Sequence, residues 1–327
     1  MQRRQLLSST GAGLVTVLGG CLSSESGTEE NGENETDSQE PDGSEDNSEA
    51  LEAASDDLDE AFDRMAEEAD IAFELEPGNP INTSAIESSI ENAEEALDEF
   101  DEAEADEEQL AAYESLRAVI EFAKAFFDVI LEFESAFEAY DTAISYEENN
   151  RYNDAVSQLE IALEHFENAV DLLADANEAW EGVEGADSDT ELDIADTKDE
   201  LDELTEIADA YVLLTEAAID FDTGYELYLE ALDQYEQERY AESASTFAEA
   251  TIEFGDAADQ YRSGETEVSS SFRDAFINMT CYSEALLESS ELFEDSADAA
   301  AGGDFQTAED RAVEAEEALD AGCGGSA

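Results

Sequence analysis

From residue 204 to residue 235 the apolar side chains step alternately by three and by four: Leu204, Ile207, Tyr211, Leu214, Ala218, Phe221, Tyr225, Tyr228, Leu232 and Tyr235. Only a helix gathers that spacing onto one side, and a run this long is the seam of helices packed lengthwise. A second run is similar: Val119, Phe122, Phe126, Ile130, Phe133, Phe137, Tyr140 and Ile144. Between residues 48 and 321 the only prolines are those of one turn, Pro77-Gly78-Asn79-Pro80. The spacing therefore predicts an all-α fold of about eight helices near 48–75, 83–104, 107–148, 152–181, 190–237, 240–262, 266–301 and 304–321. Gly264 and the pair Gly302-Gly303 are read as two of the breaks.

The chain also repeats. An offset of 88 residues brings Phe133 onto Phe221, Tyr140 onto Tyr228, Arg151-Tyr152 onto Arg239-Tyr240 and Phe166 onto Phe254. A further offset of 65 brings Phe293 to Tyr228, Phe305 to Tyr240 and Leu319 to Phe254. Each copy has a long helix, a tight turn, an aromatic and a returning helix, so the fold is expected to be built of antiparallel hairpins.

The turns read Asn150-Arg151-Tyr152-Asn153-Asp154-Ala155, Glu238-Arg239-Tyr240-Ala241-Glu242-Ser243 and Gly303-Asp304-Phe305-Gln306-Thr307-Ala308. They resemble the Gly-x-Tyr-x-x-Ala corner of tetratricopeptide repeats. The resemblance implies that Tyr152, Tyr240 and Phe305 wedge between paired helices, with Ala162, Ala250 and Ala315 as small residues of the second helix. Glycine is absent from the first two corners, Ser243 stands for alanine, and offsets of 88 and 65 replace the family's spacing of 34. The arrangement is thus either repeat-like or an elongated bundle.

Charge limits function. The chain carries 92 acidic and 11 basic residues, a net charge of −81. Nothing in it could neutralise phosphates, which excludes nucleic-acid binding, and docking on an anionic leaflet is excluded equally. Apolar content of 42% with 9% aromatics is enough for a core, so the acid does not signal wholesale disorder. In salt near 1 M the Debye length falls to about 3 Å, and surface carboxylates cease to repel. With only two lysines, Lys124 and Lys198, the composition resembles that of extreme halophiles, archaea in particular. Expansion at low ionic strength is the expected consequence.

The first residues read MQRRQLLSSTGAGLVTVLGGC. Arg3 and Arg4 precede a mildly apolar stretch that is too short to span a bilayer, which needs about 20 residues. This is the layout of a signal peptide over residues 1–20, and the arginine pair points to twin-arginine export. Leu18-Gly19-Gly20-Cys21 has the form of a lipobox, in which a peptidase cuts before the cysteine and the thiol takes a lipid. The order of parts resembles twin-arginine-exported lipoproteins of halophilic archaea, with Gln2 where Ser or Thr is usual. The resemblance implies an outer-face membrane anchor at Cys21. Residues 21–46 then form an acidic, Ser- and Gly-rich disordered tether, with Asn34 as a candidate glycosylation acceptor. The helical domain is expected over 47–322, with a tail at 323–327.

Cys281 and Cys323 are left. They flank the last turn at nearly equal distances, so antiparallel helices would bring them level, and a disulfide outside the cell would pin the final helix. No catalytic residues emerge from the sequence. His165 stands alone, and a solitary histidine is ordinarily a packing or surface residue. Asp187-Ser188-Asp189 begins a run that lacks a calcium loop's glycine and carries Lys198 at the twelfth position, so it reads as a helix start. No phosphate loop, nucleophile elbow or zinc-protease motif occurs, and neither metal nor cofactor is expected. The sequence thus points to a non-enzymatic surface lipoprotein, a helical scaffold with a protein partner at the envelope. The competing reading is a solute-binding lipoprotein serving a transporter, against which the lack of strand signals speaks.

Overall fold

The computed structural model describes residues 43–73, 83–183 and 197–321, and every regular element among them is a helix. In chain order these are α1 (Gly43–Phe73), α2 (Thr83–Asp98), α3 (Glu107–Glu148), α4 (Tyr152–Val183), α5 (Thr197–Glu236), α6 (Tyr240–Glu267), α7 (Ser270–Ala301) and α8 (Phe305–Ala321). The expected all-α architecture with eight helices is therefore found. The residues form two compact units: one takes Ser135–Glu167 and the chain from Glu206 onward, the other the described chain up to Glu134 with Asn168–Thr205. Helices α3, α4 and α5 contribute residues to both.

In the N-terminal unit α1 packs on α2. Ala54, Leu58, Ala61 and Met65 are fully buried at steps of four, three and four, the narrow seam that a thin amphipathic helix needs. Around Phe122, which is wholly buried, Phe62 lies with ring centroids at 6.0 Å and Trp180 at 5.1 Å, edge-on. Trp180 is thus a core residue. Buried Asn47 fastens the start of α1 to the α2–α3 turn: its amide donates to the Asp101 carbonyl at 3.1 Å, and the Asp101 N–H donates back at 2.9 Å.

The sequence places the helical domain from residue 47 and ends its second helix at 104. The structure starts α1 at Gly43 and ends α2 at Asp98. The early stop has a physical cause. Phe100 is buried in the turn, stacked on Tyr113 at 4.6 Å. Asp106 then opens α3 by accepting from the N–H groups of Glu108 and Gln109, while Gln109 Oε1 accepts from the Asp106 N–H. That reciprocal pair is a capping box.

In the C-terminal unit α6 packs on α7 and α7 on α8. The α5 seam expected from the sequence is inside: Ile207, Tyr211, Leu214, Phe221 and Tyr228 are buried. Burial extends to Ala208, Ala210 and Ala217 off that seam, because α5 has neighbours on more than one side. Tyr211 sits among Phe137, Phe166 and Phe272, with centroids at 5.0, 4.9 and 6.0 Å.

Gly264 is not a break. It lies within α6, and the turn comes at Val268 and Ser269, both extended. A Cβ on Gly264 would stand 2.2 Å from the buried Phe276 ring. The glycine lets α6 and α7 approach, and α6 runs past the expected end at 262 to Glu267.

Candidate functional site

The three corners aligned in the sequence share one backbone. Asn150 (φ 57°), Glu238 (φ 60°) and Gly303 (φ 83°) all occupy the left-handed region. In the first, the Arg151 N–H donates to the Tyr146 carbonyl and Asn150 N–H to Glu147. In the second, Arg239 donates to Gln234 and Glu238 to Tyr235; in the third, Asp304 to Ala299 and Gly303 to Ala300. These are three Schellman closures of the same form. The sequence suggests a turn at each site but hides the left-handed residue in the first two, since only Gly303 is the residue that prefers it.

Side chains then open the returning helices differently. Arg151 pairs with Asp154 at 2.7 Å and lies over the Tyr146 ring at 4.3 Å. Arg239 pairs with Glu242 at 2.8 Å. Asp304 instead accepts from the Thr307 N–H and hydroxyl at 3.3 and 2.9 Å.

A second shared contact crosses each hairpin twelve residues apart. Ala143 and Ala155 are fully buried in one cluster with Leu159. At the equivalent pair, the Ser243 hydroxyl donates to the Ala231 carbonyl at 2.8 Å. In the third, Ser296 donates to the Ala308 carbonyl at 2.7 Å. Serine and alanine have exchanged sides of one small-residue contact, so Ser243, a departure from the corner pattern, keeps its geometry. Ser296 also bonds the Tyr235 hydroxyl at 2.8 Å, and Ser289 bonds Tyr228 at 3.0 Å. Burial pushes the Tyr228 phenol up to about 12, with the Ser289 hydrogen bond acting against it.

The corner aromatics are graded. Tyr152 is buried against Tyr225 at 4.8 Å. Tyr240 is half-buried between Tyr235 at 5.2 Å and Phe305 at 6.3 Å. Phe305 does not wedge: it is 62% exposed. The expectation fails there because Tyr152 and Tyr240 each meet an aromatic from the hairpin that follows, and among the described residues no hairpin follows α8. Val313 and Leu319 of α8 are also exposed; at about 100° per residue Val313 lies about 80° from Phe305 in one direction and Leu319 about 40° in the other, next to the buried Ala308 and Ala315.

Of the other residues singled out, Arg3, Arg4, Cys21, Asn34 and Cys323 lie outside the described residues, as do residues 21–42 of the expected tether, the Pro77–Pro80 turn and the Asp187 run; residues 43–46, expected in the tether, instead open α1. Cys281, half-buried on α7, is disulfide-bonded. His165 is half-buried on α4. Among the described residues no group of three or more His, Cys, Asp or Glu side chains is placed to hold a metal ion, and no helix is long and apolar enough to cross a membrane.

Several carboxyls are held above their ordinary range. Asp220 is raised by burial first and by Asp256 second, against a hydrogen bond from Gln260 at 2.7 Å. Glu216 and Glu253 are raised by burial and then by neighbouring acids, Asp220 among them. They form a like-charge ridge along α5 and α6.

Compared with protein-family models, with curated proteins and with solved structures, this chain gives no match.

The corners are repeated and closed by backbone hydrogen bonds, and the helix that leaves the last of them exposes Phe305, Val313 and Leu319.

Proposed function

We propose that this chain is a lipoprotein held at the outer face of the cytoplasmic membrane through Cys21, and that its helical body is a scaffold for another envelope protein in a salty environment. The observation that carries the reading is the order of parts at the N-terminus: Arg3-Arg4, a short apolar stretch, then Leu18-Gly19-Gly20-Cys21. Two thiols suited to a disulfide fit an oxidising compartment, and the bonded state of Cys281 supports that. The scaffold half of the reading is supported by the exposed Phe305 and Val313 of α8, since large apolar side chains on a surface mark contact sites. Glu309 and Glu316 are exposed on the same helix, so the partner that fits it carries apolar and basic side chains together. The reading includes no catalytic step.

The test is membrane fractionation of the wild type and of Cys21→Ser, followed by pull-down of each from membranes extracted in molar salt. The reading predicts a membrane-bound wild type, a released or unprocessed variant, and a stoichiometric protein partner lost on Phe305→Asp. A variant that is still processed and membrane-bound would overturn the anchor. A tightly bound small molecule without a protein partner would overturn the scaffold in favour of solute capture.

A further inference from the structure

We infer that the bridge at Cys281 is made with Cys323, so that the last hairpin is clasped covalently at its open end. Cys281 is disulfide-bonded, and the chain's remaining cysteines are Cys21 and Cys323. A hydrogen bond within the hairpin decides between them. Ser296 on α7 donates to the Ala308 carbonyl on α8 at 2.7 Å, which sets these two positions opposite each other. Counting fifteen residues back along α7 from Ser296 gives Cys281; counting fifteen forward from Ala308 gives Cys323. At 1.5 Å per residue Cys281 lies about 22 Å from the Ser296–Ala308 contact, and Ala321 on α8 lies about 20 Å from it on the same side of the turn. Helix α8 is described as far as Ala321. Two residues of chain span at most about 7 Å, which limits how far Cys323 can be from Ala321. This register holds whether or not Cys21 carries a lipid.

The bond forms by thiol–disulfide exchange with a low-molecular-weight disulfide or its enzyme carrier outside the membrane. The two thiols give up two protons and two electrons; the incoming disulfide takes them and leaves as two thiols. Reducing cytosol opposes the step, so it follows export. Its effect falls on α8, which packs on α7 and bears the exposed Phe305 and Val313. The clasp closes the loop from Cys281 to Cys323 and holds that surface in place.

The test is a non-reducing digest of the full-length protein with glutamyl endopeptidase, read by mass spectrometry, together with hydrogen exchange before and after reduction. The expected result is a Cys281 peptide linked to the Cys323 peptide, two hydrogens lighter than the separate peptides. On reduction, exchange across 305–321 should rise about tenfold or more while 47–65 is unchanged. In Cys323→Ser, Cys281 should become alkylatable without reduction. A Cys281–Cys21 link, a link between two copies, a free Cys281 in the exported protein, or exchange unaffected by reduction would each overturn the inference. The lipid reading can fail separately, since an unmodified Cys21 beside an intact Cys281–Cys323 peptide would remove the anchor and leave the clasp.

Discussion

At the corners one left-handed backbone position is filled by Asn150, Glu238 and Gly303. A side chain there is strained by about 1–2 kcal/mol relative to its preferred conformation, least so for asparagine. Glu238→Gly should therefore raise stability by about 0.5–1 kcal/mol after the entropy that glycine returns to the unfolded chain. Gly303→Ala should lower it by about 1 kcal/mol. Thermal unfolding in molar salt would check both signs. The corners were legible as turns because an aromatic follows each of them. Their conformation was not legible, since glutamate gives no hint of a positive φ. Asn47 was hidden for a related reason: a polar residue beside an acidic tether looks solvated, yet its two hydrogen bonds with the Asp101 backbone bury it. Asn47→Ala should cost about 1–3 kcal/mol, with an Asp101 N–H and carbonyl losing their partners.

Among the elements, the length and order of the helices could be read from periodicity, whereas the contacts that set their spacing could not. Gly264 illustrates the difference. A lone glycine near the end of a helical pattern reads as a break, but here it makes room for the Phe276 ring between α6 and α7. Gly264→Ala should destabilise the protein by about 1–3 kcal/mol through overpacking, measurable as a lower melting temperature with unchanged helicity below the transition. The corner aromatics give a second contrast between elements. Tyr152, buried on Tyr225, should cost about 3–5 kcal/mol when cut to alanine. Phe305→Ser should cost no more than about 0.5 kcal/mol, as exposed sites do, while abolishing partner capture. The repeat alignment made the three aromatics look equivalent. It could not tell that each is covered by the next hairpin and that the last is left open.

For the molecule as a whole, charge governs behaviour. Asp220, Glu216 and Glu253 are held above their ordinary range by burial first and then by neighbouring acids: Asp256 for Asp220, Glu167 and Asp220 for Glu216, and Asp220 and Asp256 for Glu253. The folded state therefore binds more protons than the unfolded chain just above the usual carboxylate range. Their contribution is least unfavourable below the unfolded pKa, and stability declines as pH rises through the raised folded values. The melting temperature should accordingly rise when pH is lowered from 7 to about 5.5, more at 0.1 M salt than at 2 M, where screening removes the like-charge part. Asp220→Asn should reproduce part of that gain at low salt, on the order of 0.5 kcal/mol. A melting temperature that fell on acidification would contradict the assignment. A halophilic setting and a destination outside the cell are proposals that rest on composition and on residues 1–21. Intact mass spectrometry of the protein extracted from membranes in molar salt tests the destination most directly. The account predicts a chain that begins at Cys21 and carries an added lipid mass on that residue; a membrane-extracted chain that retains residues 1–20, or one that begins at Cys21 unmodified, would contradict it.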